Sequence, residues 1–575
     1  MNSVSKFSYF LALVLLYSCY TKQDLMTKDQ IATQSADIIY HNGNILTMND
    51  TQKIVEAVAI SQGKIVAAGS LSDIKKLSSE NTAYEDLNGH TMLPGFIDAH
   101  SHFTLGMKMI AQANLNSPPV DSIRDISDVI NRLKEHQQKF QIPTGKWILG
   151  WGYDPDQLSE RRHPNITELS EAFPDHPVFM IHTSFHMGVG NARALEIIGI
   201  DEHTPDPPGG MIVKDFSTGL PTGLLQESAM YMMIGSMPQA TPTQTATLLQ
   251  LTQSYYAKHG VTTAQDGLTD SQSYEYLKSA AAQGELYIDI QALGSYREAD
   301  YFLPLDDFNK DINGLRLAGM KITTDGSPQG KTAYFKNSYL TKVPGCSAQC
   351  KGFPMVKMEE LESLMNECYQ KEIQLYVHCN GDASIDMLLA AHDKVTTELS
   401  ISSDIQRTVV IHSQFVRPDQ LKKYKAYEFV PSFFTNHAFF WGDVHTINLG
   451  KERANFLSPM RSAIDMGITA TNHTDYNVTP IDQMFLLWTS VMRQSRVDHI
   501  MGKSERITPY EGLKALTIHS AYQHHIDDSK GSIEVGKLAD FVILDADPLT
   551  VDPMDIKDIN ITMTIKEGKE IYRAL

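Results

Sequence analysis

The chain has 575 residues and a formal charge of −19, with 49 Lys and Arg against 68 Asp and Glu. That length exceeds what one ordinary core holds and predicts about two to four domains. Binding phosphates needs a basic surface, and neither the acidic balance nor any run of Lys and Arg offers one, so a nucleic-acid partner is excluded.

At the N-terminus Lys6 precedes the apolar stretch FSYFLALVLLY, which ends at Ser18 and Cys19. A basic residue, a short apolar segment and a small residue read as a secretory signal, too short for a comfortable membrane span. The ending LYSC resembles a bacterial lipoprotein signal, although Tyr17 is bulkier than that pattern usually carries. The resemblance implies a signal over residues 1–19, lipid on Cys19, and a tether over residues 20–35. The expected location is outside the cytoplasm, anchored to a membrane or periplasmic.

Residues 36–92 hold short alternating pieces such as ADIIYHNGNILTM and EAVAISQGKIVAAG, separated by Asn-Gly and Gln-Gly turns, the pattern of hairpins. Residues 523–575 repeat that style in GSIEVGKLADFVILDADP and NITMTIKEGKEIYRA. Similar material at both ends predicts one small β-sandwich assembled from the two termini, with everything else inserted into it.

Residues 93–114 would form a first barrel strand and its loop. Residues 115–240, rich in Pro, Gly and aromatics, break the rhythm and read as a large insertion covering a site. Over 241–522, apolar β-type runs at 260–266, 286–294, 315–323, 373–382, 407–414, 428–436 and 467–475 alternate with helix-like segments at 243–259, 271–283, 357–371, 382–398 and 480–496. Alternation predicts parallel βαβ units. With the strand before His100 the count is eight, so the expected fold is α/β, a distorted (β/α)8 TIM barrel with chemistry at the C-terminal ends of its strands. Cys346 and Cys350 lie close together in GCSAQCKG and are open to a disulfide or to two free thiols. Cys368 and Cys379 read as buried fillers.

Polar groups gather after the proposed strands: His100 and His102 in PGFIDAHSH, Lys321 in GMKITTDGS, His378 in QLYVHCNGD, His412 in VVIHSQ, and Asp475 in ATNHTDYN. Each is competent to bind a metal or carry charge where a barrel would collect it. On a strand, residues two apart point to one side, which would aim His100 and His102 together if the strand runs through them.

In the order His-x-His, Lys, His, His, Asp, and in KITTDGS, VHCNGDAS, IHSQ, GLPTGLLQE and GSIEVGKLADFVILD, the chain from about residue 36 resembles the amidohydrolase superfamily. Within it the similarity is to the amidohydrolase-3 or YtcJ-like branch that includes N-substituted formamide deformylases. The resemblance implies that His100, His102 and Asp475 hold one divalent ion and His378 and His412 a second. Zinc is the first choice for these nitrogen and oxygen donors. Lys321 would be N6-carboxylated and bridge the two ions; an unmodified Lys321 beside a single zinc is the other form. Two departures stand out: NHTD replaces a Gly/Ser-Ser-Asp pattern, and IHSQ lacks the acidic residue that often precedes the histidine. His473 is thereby open to three roles, as a partner orienting a ligand, a substrate contact or a wall residue.

The implied reaction is metal-assisted hydrolysis of an amide-like C–N bond, N-formyl or N-acyl, in a small molecule. Metal-activated water would attack, and Asp475 would act as general base and then acid. Trp151, Tyr153, Asp154, His182, His186 and Asn191 of the insertion are candidates for a pocket lid, with His186 the one the resemblance favours for substrate contact. Asn380, Asp382, Gln414 and His473 flank the ligands, while Asp325 and Gly326 would shape the loop after Lys321. The same site could serve a deaminase, lactonase, peptidase or isomerase, or a non-catalytic surface-anchored binder. A membrane contact through Cys19 and a homodimer complete the expected partners.

Overall fold

The computed structural model describes residues 35–574, apart from 208–209, 238–239, 344–348 and 405. The expected signal, Cys19 and Cys346 lie outside the described residues. Cys350 is disulfide-bonded, while Cys368 and Cys379 are free and buried.

Eight parallel strands follow one another in chain order through a single sheet: Phe96–Ile97, Val261–Thr269, Asp289–Ser295, Leu315–Thr323, Leu375–Cys379, Val409–His412, Val430–Phe433 and Thr471–Asn472. They are strands one to eight below. A short antiparallel strand, Asp311–Ile312, sits beside strand four. Strands one and eight form no ladder, yet the chain ends just beyond them meet. Asp475 N–H donates to His100 O at 3.0 Å, and Thr474 N–H donates to an Asp98 carboxylate oxygen at 3.2 Å. The sheet therefore curls until its edges touch, leaving no exposed edge at the site.

Helices separate the strands because the sequence starts and stops them locally. Pro242–Lys258 begins with Pro at its first position, behind a reciprocal Thr241–Gln244 capping box. Ser271–Ala282 is capped by Asp270, and Gln483–Met492 by Asp482, each carboxylate accepting a free backbone N–H of the first turn. Their apolar faces, with those of Met358–Gln370 and Asp382–Leu399, pack on the strands in one continuous core that includes Leu277, Leu317, Leu364 and Leu388.

Strands from both chain ends join in one mixed eight-stranded sheet, where Phe541–Leu544 pairs antiparallel with Thr91–Pro94. Residues between strands one and two supply a separate six-stranded sheet, from Ala113–Asn114 to Pro221–Glu227. Arg496, near the end of the barrel sequence, donates to Gln157 of this inserted region at 2.6 Å. No described helix is long and apolar enough to cross a membrane.

Candidate metal centre

Strand one ends at Ile97, earlier than a strand carrying both histidines requires. Asp98 is drawn off to Thr474, and His102 N–H donates to Tyr476 O at 2.7 Å, so the chain turns into the helix Phe103–Met109. The turn still brings the two imidazoles together, edge to face, with ring centroids 4.9 Å apart.

Asp475 lies between the histidines. Its Oδ1 is 3.5 Å from His100 Nε2 and 3.3 Å from His102 Nε2, and its Oδ2 is 4.0 Å from His412 Nε2. Lys321 Nζ lies 3.2 Å from His100 Nε2. The His378 and His412 rings meet at 4.6 Å. All six residues expected from the sequence thus converge. Two sets have donor atoms close enough to share a cation: His100, His102 and Asp475, and His412, His473 and Asp475. His378 falls outside both sets; Asp325 Oδ1 lies 3.4 Å from its Nδ1 and Asn380 Nδ2 3.2 Å from its Nε2.

Neighbours fix the geometry. Gln265 Oε1 accepts from His100 Nδ1 at 2.5 Å while the Gln265 amide nitrogen donates to Ala99 O, so His100 Nε2 is the nitrogen left facing the centre. Buried Asp325 accepts the backbone N–H groups of Tyr334, Asn380 and Gly381, which ties the loop after strand four to the end of strand five. His412 and Asp475 have φ of 70° and 52°, the left-handed region that costs a non-glycine residue about 1–3 kcal/mol. Such backbone strain concentrates where side chains must be aimed.

Burial sets the charges. It pushes Lys321 down to about 7, against the attraction of Asp475, and no carboxylate lies within ion-pair distance of it among the described residues. Burial also holds His100, His378 and His412 below the usual imidazole value and takes His473 down to about 3. Burial alone would raise Asp475, but its contact with His102, together with the His473 and Lys321 charges, keeps it below the ordinary carboxylate value. The centre therefore sets an anionic oxygen beside imidazoles, of which His100, His378, His412 and His473 have protonation disfavoured by burial. A cation fits this donor set, because Asp475 Oδ1 is buried without any hydrogen-bond partner and the nearest groups are imidazole nitrogens. His102 is the most open of the four histidines, its side chain 24% exposed.

Several residues of the expected lid contact other residues of the inserted region. Tyr153 is fully buried with its hydroxyl on His163 Nδ1 at 3.0 Å, and Trp151 packs near Phe185. Asp154 faces His182 Nε2 at 3.8 Å, and Asn191 spends its amide on Val178, Ala194 and His176. His186 is half-buried. Asn380 and His473 do reach the centre, whereas Asp382 binds Arg417 and the Lys336 N–H. Gln414 is buried with neither amide atom paired. Sequence reasoning passed over Gln265 and Ser432, polar side chains on strands two and seven. For Ser432 the signal was a polar residue inside an otherwise apolar strand; Gln265 stands among other polar residues of its strand and had none.

The Amidohydrolase family model matches residues 84–572. The chain is 26% identical over 551 residues to N-substituted formamide deformylase of Arthrobacter pascens, covering 93% of this chain and 98% of that one. It is 27% identical over 559 residues to the putative amidohydrolase YtcJ of Bacillus subtilis (strain 168), covering 93% and 99%. A crystal structure of an uncharacterized metal-dependent hydrolase from Pyrococcus horikoshii OT3 shares the fold, with a TM-score of 0.73 at 24% identity over 90% of this chain and 99% of that one. A match of that extent, on a curled parallel sheet that gathers histidines and an aspartate where its edges meet, means that the chain belongs to the amidohydrolase family.

Proposed function

We propose that the protein is a metal-dependent hydrolase that cleaves the C–N bond of a small N-formyl or N-acyl amine rather than a peptide. The observation that carries this reading is the unpartnered, buried Asp475 Oδ1 between His100 and His102. His100, His102 and Asp475 would hold one ion, and His412 with His378 a second, zinc being the metal these donors suit. When bound, such an ion supplies Lewis acidity, which lowers the pKa of water and polarises a carbonyl.

Asp475 is ionised and can take the proton of the attacking water. It then delivers that proton to the departing nitrogen, which leaves poorly as an anion. Lys321 would serve as a carbamate: its neutral amine, favoured by burial, adds CO2 and releases one proton, which would make it an anionic two-oxygen ligand for the ions. Trp151, Tyr153 and His186 shape the covering region, and Asn380 and Gln414 border the ligands. The choice of an N-formyl amine draws on the name of the Arthrobacter relative.

The test is chelator-treated protein reloaded with zinc, with and without bicarbonate, and assayed on N-formyl amines, N-acyl amines, N-acyl amino acids, dipeptides and lactones. Activity on an N-formyl or N-acyl amine that vanishes without metal is expected. Full activity in metal-free protein, or turnover of lactones alone, would overturn the reading. Cys19 we read as the lipid-bearing residue of an exported protein; Cys19→Ser should move the protein from the membrane to the soluble fraction.

A further inference from the structure

His473 stands two residues before Asp475 and is completely buried. One face stacks on Phe434, with ring centroids 5.0 Å apart, and both ring nitrogens are engaged. Nε2 lies 3.1 Å from His412 Nδ1, and Nδ1 lies 3.0 Å from Ser432 Oγ. Neither ring nitrogen is left to hydrogen-bond a substrate. A row of three side chains, from strands six and seven and the turn after strand eight, therefore ends on the ring of a candidate ligand.

We infer that His473 is a positioning residue: it accepts the Nδ1–H of His412 and passes its own Nδ1–H to Ser432, which leaves His412 Nε2 bare toward Asp475. The inference rests on the metal-centre reading, since only a bare nitrogen can donate to a cation. A metal-binding histidine ordinarily gives its other N–H to a carboxylate, a backbone carbonyl or water. Here a second imidazole takes that place, and the Ser432 hydroxyl, able to donate or accept, lets the row run in this direction.

His100 provides the contrast. Its Nδ1 faces an amide oxygen whose own NH2 is committed to Ala99 O, so its tautomer is fixed by a group that can only accept. The tautomer of His412 depends on His473 and Ser432, which can reverse together. The His412 side of the centre should accordingly be the weaker of the two and the one that answers to changes at residue 473.

The experiment titrates chelator-stripped protein with zinc against a chromophoric competitor, comparing wild type with His473→Phe, His473→Gln and Ser432→Ala. Thermal unfolding serves as the fold control. His473→Phe should weaken one ion about 10–100-fold and leave the other unchanged. His473→Gln, whose amide oxygen can accept the same proton, should restore most of that loss, and Ser432→Ala should fall between. Histidine 15N spectra of the zinc-loaded wild type should show His473 protonated at Nδ1 and bare, without metal, at Nε2. Wild-type zinc affinity in His473→Phe, a proton on His473 Nε2, or zinc bound to it would each overturn the inference. If His473→Phe does not fold, the other two variants and the wild-type spectrum decide. None of these readouts needs turnover, so a blank substrate screen would remove the hydrolase reading while leaving this one to stand or fall separately.

Discussion

Asp475 carries two duties, ligand and proton carrier, and one substitution separates them. Asp475→Asn keeps an oxygen at the centre and removes the base. Turnover should fall at least about a hundredfold, the lower end of what acid–base groups contribute, with most of the metal retained. Near-wild-type rates with metal bound would remove Asp475 from the proton path. Gly267 tests the support of His100 instead. A Cβ there would stand 2.2 Å from His100 Cε1 and 2.7 Å from its Nδ1, so the ring must turn off Gln265 to make room. Gly267→Ala should weaken zinc by about 10–100-fold, the usual cost of losing a ligand's orienting partner. Unchanged affinity would mean that the amide contact does not hold the ring. At this scale the ligand types were legible because each follows a β-type run. The partners were not, since Gln265, Ser432 and Gly267 act on residues distant along the chain, Gln265 on His100 165 residues away.

Among elements, the parallel strands and their helices could be read from alternation, and boundaries moved by only a few residues. The expected strand 315–323 is observed as Leu315–Thr323, and the expected helix 382–398 as Asp382–Leu399. The exception is strand one, which stops at Ile97 because tertiary partners on the far edge of the sheet capture Asp98 and His102. A second junction was also invisible locally. Lys530, buried, pairs with Asp289 at the start of strand three and with Asp540 at 2.9 Å, while Lys566 of the sheet built from both ends lies 3.4 Å from Asp289. Two cations and two anions thus lock the barrel strands to that sheet. Removing one member leaves an uncompensated buried charge, so Lys530→Met should cost about 3–5 kcal/mol in urea unfolding. A loss below about 1 kcal/mol would show that water already relieves the cluster.

For the whole molecule, burial of neutral histidines away from the centre predicts acid lability. Burial takes His445 and His524 down to about 3. Unfolded, each would bind a proton near pH 6.5; folded, it cannot until about pH 3. Their contribution is complete above about pH 6.5 and is lost as pH falls through that window, at about 1.4 kcal/mol per pH unit for each. Asp98, raised to about 7 by burial, binds its proton when folded first and offsets one of them. The urea midpoint of metal-free protein should therefore fall steadily between pH 6.5 and pH 5, before most ordinary carboxylates titrate; a flat midpoint would contradict it. What the sequence determined by itself is the alternation of strands and helices and the kinds of side chain that follow each strand, because periodicity and capping are local properties of the chain. Only the tertiary structure decided that strands one and eight meet at their ends, that His-x-His sits in a turn, and that an amide and a second imidazole stand behind the two ligand histidines. Those outcomes depend on packing between segments hundreds of residues apart, and no local pattern records them.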